Sequence, residues 1–189
     1  MKPSSHWFLI GLAALVLWAA PATAQDDDED GYDMDEIVGK ATGFFGETTE
    51  GLAKAIERVF EDQGRPNAYI TGEEISGAIG FGLRYGNGML HRKAGGRRQI
   101  YWQGPTVGFD LGGDASKVFV LIYDLKRMTD IFQRFPAVDG SFYFIAGIGV
   151  NYQRSGDIVL APIRTGVGLR TGANIGYTHY TKEKSWNPF

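Results

Sequence analysis

Apolar positions change their spacing along the chain, and each spacing predicts a different element. From Trp7 to Ala20 the residues are uncharged and mostly apolar without a break. From Leu52 to Phe60 the spacing is helical: Leu52, Ile56, Val59 and Phe60 share a stripe, while Lys54, Glu57, Arg58 and Glu61 face away. Thr48 or Thr49 supplies a cap, and Gly64 before Arg65-Pro66 supplies the stop. A second, shorter helix is expected over 125–135, with Met128, Ile131, Phe132 and Phe135 on one side, Asp124 as its cap and Pro136 as its end.

Elsewhere the pattern is that of short strands between turn signals. The runs are 68–72, 78–85, 89–93, 99–103, 106–111, 117–123, 141–153, 158–164, 165–171 and 173–181. Gly86-Asn87-Gly88, Ala94-Gly95-Gly96 and Ser155-Gly156-Asp157 separate such runs and read as hairpin turns, which need positive φ and make the joined strands antiparallel neighbours. The stretch KVFVLIYD is apolar on both faces and predicts a central strand covered on both sides. Glycines recur two apart at 80 and 82, 147 and 149, and 166 and 168, which would leave one strand face bare. Interior strand glycine costs stability, so its repetition implies a close backbone approach or a sharply coiling sheet. The bare face is either filled by another wall or left as a cavity for an elongated apolar ligand. The predicted class is α+β, mainly a small antiparallel β-barrel with an N-terminal amphipathic helix and one shorter helix.

The opening run is too short to span a bilayer core, which needs about 20 residues. With Lys2 before it and Ala22-Thr23-Ala24 after it, residues 1–24 read as a signal peptide cleaved after Ala24, which places the mature chain in the periplasm. The sequence contains no cysteine, so the exported domain relies on burial and hydrogen bonding without disulfides. Charge is divided by region. Eight acidic residues lie between Asp26 and Glu36, and residues 25–42 are expected to form a disordered acidic leader, either a solvated tail or one that competes for a basic face. Residues 43–189 then form a single barrel domain.

Motifs for chemistry are missing: there is no P-loop, no G-x-S-x-G, and no histidine spacing suited to a metal. Neither catalysis nor a cofactor or metal is expected. Glu73 and Glu74 are adjacent, so on a strand they face opposite ways and cannot serve one site; they are expected to lie in a solvated turn. Asp110 and Asp114, flanking Gly112-Gly113, read as turn acceptors. One constellation suggests binding: His91, Arg92, Lys93, Arg97 and Arg98 surround a predicted hairpin tip, with Tyr101 and Trp102 close behind. Cations beside amphipathic rings suit an anionic, partly apolar surface such as lipid headgroups or another envelope component. Nucleic acid is not a partner in that compartment, and any protein partner is unknown. An outer-membrane barrel is the rival architecture, but several strands fall short of the 9–11 residues it needs.

The phrases FFGETTEGL and YITGEEISGA, with the run from Ile100 to Asp124, resemble the EipA family of exported envelope-integrity proteins. The resemblance extends over residues 43 to about 181. It implies a small β-barrel with a flanking helix, a role in keeping the envelope robust, and no catalytic residues to carry over. More loosely, VGFDLGGDASKVFVLI is similar to the SYLF lipid-binding domain, which implies lipid as a possible ligand.

Overall fold

The computed structural model describes residues 31–46, 50–110, 115–164 and 176–187. Among these residues two helices come first, α1 (Met34–Phe45) and α2 (Glu50–Gln63), followed by nine strands. These are β1 (Ala68–Arg92), β2 (Arg97–Asp110), β3 (Ala115–Tyr123), β4 (Arg134–Pro136), β5 (Tyr143–Ile145), β6 (Ile148–Val150), β7 (Gln153–Ser155), β8 (Ile158–Arg164) and β9 (Tyr177–Thr181). They form one antiparallel sheet in the order β4-β9-β2-β1-β3-β8-β6-β5, with β7 also on β8. The sheet curls until Ala137, after β4, bridges to Gln153 on β7, which brings the β4 edge round to the β7–β8 hairpin. The α+β, mainly antiparallel, barrel-like expectation holds.

β3 lies between β1 and β8 and is buried on both faces, as its unbroken apolar run predicts. Phe119, Leu121 and Tyr123 point outward to a core shared with Leu52, Ala55, Ile56 and Val59 of α2. Val118, Val120 and Ile122 point inward to Ile70, Leu90, Ile100, Ile131, Phe135 and Leu160. The described barrel interior is therefore filled at this level, in keeping with close packing. α2 matches its predicted stripe, and Gly64 ends it at φ 77°. The turns at Gly95-Gly96 and Gly156-Asp157 also form as expected.

Four expectations are corrected. Residues 33–42 are not a disordered leader: Asp33 caps α1 by accepting from the Glu36 amide at 2.8 Å, and the Glu36 side chain accepts from the Asp33 amide at 3.1 Å. Ile37 and Ala41 are fully buried, and that burial offsets the cost of ordering an acidic segment. The second helix is only a 3-10 turn, Met128–Ile131, followed by β4. Ile131 and Phe135 of its apolar stripe are buried and Met128 and Phe132 half-buried, but Arg134–Pro136 must be extended to pair with β9, and Asp124 takes φ 59° instead of capping. The run 141–153 divides into β5, β6 and β7, because Ala146 and Gly147 reverse the chain with positive φ. Gly147 thus belongs to a turn and does not share a strand face with Gly149. Gly166 and Gly168 lie outside the described residues, as do Gly112, Gly113 and Asp114.

The fourth correction matters most. Gly86-Asn87-Gly88 makes no hairpin; β1 runs on through it, pairing with β3 over 68–75 and with β2 over 78–91. Straight, the residues from 72 to 88 would span about 50 Å. Instead the two halves of β1 meet: a Cβ on Gly72 would strike the Asn87 carbonyl, the Trp102 ring and the Gly88 Cα, and one on Gly88 would strike the Thr71 carbonyl and the Gly72 Cα. The glycines do mark a close backbone approach, but at 72 and 88, with Gly86 leaving room for the Trp102 indole.

Gly72→Ala is expected to cost about 3 kcal/mol in urea unfolding, because backbone cannot yield as a flexible side chain can. Gly77→Ala, where an added Cβ meets nothing within 4 Å, should stay within about 0.5 kcal/mol of the parent. Asp33→Ala should cost about 1 kcal/mol and raise amide exchange in the first turn of α1; an unchanged exchange pattern would show that the cap does not hold the helix.

Candidate functional site

Charge occupies two unusual places, one inside the curled sheet and one at its end. Inside, period-two geometry turns Glu73 to solvent and Glu74 inward, where Glu74 is 6% exposed. This overturns the expectation of a solvated turn for that residue. Arg164, at the end of β8, donates from Nε to Glu74 Oε1 at 2.6 Å and from Nη1 to Asn151 Oδ1 at 3.1 Å. Trp102 Nε1 donates to Glu74 Oε2 at 3.2 Å. Arg84, also buried, adds a second positive charge, and the buried Tyr180 lies in the field of all three ions.

Burial by itself would push the Glu74 carboxyl up. The Arg164 and Arg84 charges, with the hydrogen bonds from Arg164 and Trp102, outweigh it and hold the group at about 2. Burial acts against the Arg84 charge in turn, while Glu74 supports it. A carboxylate this weakly basic, with charged donors on both oxygens, is a poor proton acceptor for catalysis. Its placement suits a structural ion cluster that fixes how β1, β2 and β8 meet. The partners of Glu74 stand up to ninety residues away in sequence, which is why adjacent residues gave no sign of them.

The seven residues expected to bind do not form one patch. His91 stacks on Tyr69 with ring centroids 4.7 Å apart. Lys93 pairs with Glu36 at 2.6 Å and lies over the Tyr32 ring, so it fastens α1 to the hairpin. Arg92 is half-buried, with its Nε enclosed. Tyr101 is half-buried beside Thr181, and Trp102, 3% exposed, belongs to the interior cluster and does not reach the surface. Arg97 and Arg98 are exposed, and Arg98 lies 5.3 Å from the centroid of Phe132. Lys182 Nζ lies 5.5 Å from the same centroid. Sequence reading missed Phe132 and Lys182 because β9 brings Lys182 to β2 from far along the chain, while Phe132 was assigned to a helix face.

A family model described as Envelope integrity protein A matches residues 30–189. The chain belongs to the EipA family. Among solved structures, the crystal structure of a β-barrel-like, uncharacterised protein from Brucella abortus is 46% identical, covers 85% of this chain and 99% of its own, and superposes with a TM-score of 0.77. No curated protein matches. The EipA match extends through α1, the segment that the acidic composition obscured, and its name assigns the chain to the cell envelope.

The Glu74 ion pair predicts an acid-sensitive barrel in this EipA-family chain. Because the folded carboxyl is held below its ordinary 4.5, its contribution is full above 4.5 and fades as pH falls from there toward 2. Glu74→Gln should cost about 3 kcal/mol at neutral pH by leaving the buried arginines uncompensated. Urea midpoints measured across that pH window should converge for parent and variant as acidity rises; parallel curves would remove Glu74 as the cause.

Proposed function

We propose that this EipA-family chain is exported to the periplasm, where it supports envelope integrity without catalysis, through surface contacts with an anionic envelope component. The observation that carries this reading is the exposed pair Arg97 and Arg98 at the β1–β2 hairpin, with Arg98 set against an aromatic ring. Two features support it. The one buried acid among the described residues, Glu74, is neutralised by Arg164 at 2.6 Å and not offered to a substrate. The outward face of β3 and β8 is covered by α1 and α2, an arrangement suited to water and not to a lipid-embedded barrel wall. A carrier of apolar ligands would need an open interior, whereas the described interior level is packed with Ile70, Leu90, Ile100 and Phe135.

Deleting the gene should sensitise cells to detergent and osmotic stress, and the parent protein should restore resistance. The restored protein should be released with the periplasmic fraction and begin at Gln25. A form lacking residues 2–24 should fail to restore it. Full rescue by that cytosolic form, or a deletion strain as robust as its parent, would overturn the reading.

A further inference from the structure

The segment after β9 carries chemistry that the envelope role has not yet used. Residues 182–187 continue past the hairpin cations, and Trp186 is pinned where it lies: its carbonyl accepts from the Tyr85 hydroxyl at 3.0 Å, and the two rings are 5.4 Å apart. Despite this anchorage Trp186 is 68% exposed. Lys184 Nζ stands 4.4 Å from its ring centroid, and Thr181 Oγ1 donates to the Glu183 carbonyl at 2.8 Å, which shapes the turn out of β9. Between this segment and Phe132 lies a cleft of about 560 Å³. Arg98, Lys182 and Lys184 therefore gather around two aromatic rings, Phe132 and Trp186, with Glu183 as the opposing charge on the segment. Asp130, the acid nearest Phe132 in sequence, is already paired with Arg127 at 2.8 Å.

We propose that the cleft between Phe132 and the segment 182–186 is a docking site for an anionic phospholipid leaflet, with Arg98, Lys182 and Lys184 on the phosphate groups and the Trp186 indole in the interfacial layer. The proposal deepens the envelope-contact reading and rests on it. Charge complementarity selects the occupant: several cations on one face attract a negative leaflet, and an exposed indole held by its backbone and ring neighbours supplies the amphipathic anchor that a free anion does not need. A held indole also loses little freedom on insertion, which favours binding.

Cosedimentation of the mature protein with vesicles tests it. Binding should be seen with phosphatidylglycerol mixed into phosphatidylcholine, should be absent with phosphatidylcholine alone, and should weaken as salt is raised. Lys182→Ser with Lys184→Ser should weaken binding about thirtyfold, since each basic residue at an anionic leaflet contributes roughly fivefold. Trp186→Ala should weaken it further at unchanged salt dependence. Lys54→Ser with Arg58→Ser on α2 removes as many cations elsewhere and should leave binding as it was. Unchanged binding in the Lys182 and Lys184 variant, or an equal loss in the α2 variant, overturns the site. Saturation of the Trp186 fluorescence change by inorganic phosphate as readily as by vesicles overturns the leaflet as occupant. Because detergent resistance of the complemented strain is read separately, a vesicle result against the site leaves the envelope role standing, and a failed complementation is recognised as failure of that role.

Discussion

Two stretches of bare backbone meeting at Gly72 and Gly88 set the shape of this protein. A strand as long as β1 can belong to two neighbouring walls only if it bends back on itself, and side chains on its inner face would hold the halves apart. With only hydrogens at the crossing, the first half pairs with β3 while the second pairs with β2, and one strand becomes the hinge line of the curled sheet. The conformational cost of strand glycine is offset by the wall contact it permits, which places Ile70, Leu90 and Ile100 in one core.

The ion cluster follows from that crossing. Folding β1 back directs both Glu74 and Arg84 inward and sets the Trp102 indole over Gly86, within reach of the carboxylate. β8, paired to β3, then delivers Arg164 to the same point. Net stabilisation by a buried ion pair is small against an apolar alternative, but a half-formed one is strongly unfavourable. The cluster therefore penalises any register in which β1, β2 and β8 do not meet as they do here. Since the sheet is built largely from contacts distant in sequence, that penalty has particular value in selecting one arrangement.

Legibility in the sequence followed the range of the interactions. Elements with a local cause were readable: α2 from its stripe and Gly64, β3 from its two-sided apolar run, and the turns at Gly95-Gly96 and Gly156-Asp157 from their glycines. α1 was locally readable too, since Asp33 followed by Glu36 is a capping signature ahead of Ile37 and Ala41, but the acidic run just before it dominated the composition. The segment 125–135 misled for the opposite reason. Its apolar spacing reports burial correctly, yet pairing with β9 overrides helix propensity from outside the segment. At Gly86-Asn87-Gly88 the turn signal was a packing signal, because glycine serves close approach as well as positive φ. Glu74 was illegible, since all its partners arrive by topology.

Period-two geometry also explains why the basic hairpin has two separate duties. His91 and Lys93 share the outer face, and there they meet Tyr69, Tyr32 and Glu36, so α1 and the end of the acidic run are held against the barrel by the same basic side chains that looked available for binding, Lys93 through its charge and His91 through its ring. That contact already places the last acid of the run beside a basic residue, which removes Lys93 from any competition for an external anion. Arg98 falls on the other face and meets Phe132, where β9 adds Lys182 and the following segment adds Lys184 and Trp186. Helix docking and surface contact therefore use different charges on one hairpin. Changes to Arg98, Lys182 or Lys184 can alter what the surface attracts without loosening α1, because among the described residues no ion pair joins them to the Lys93–Glu36 contact.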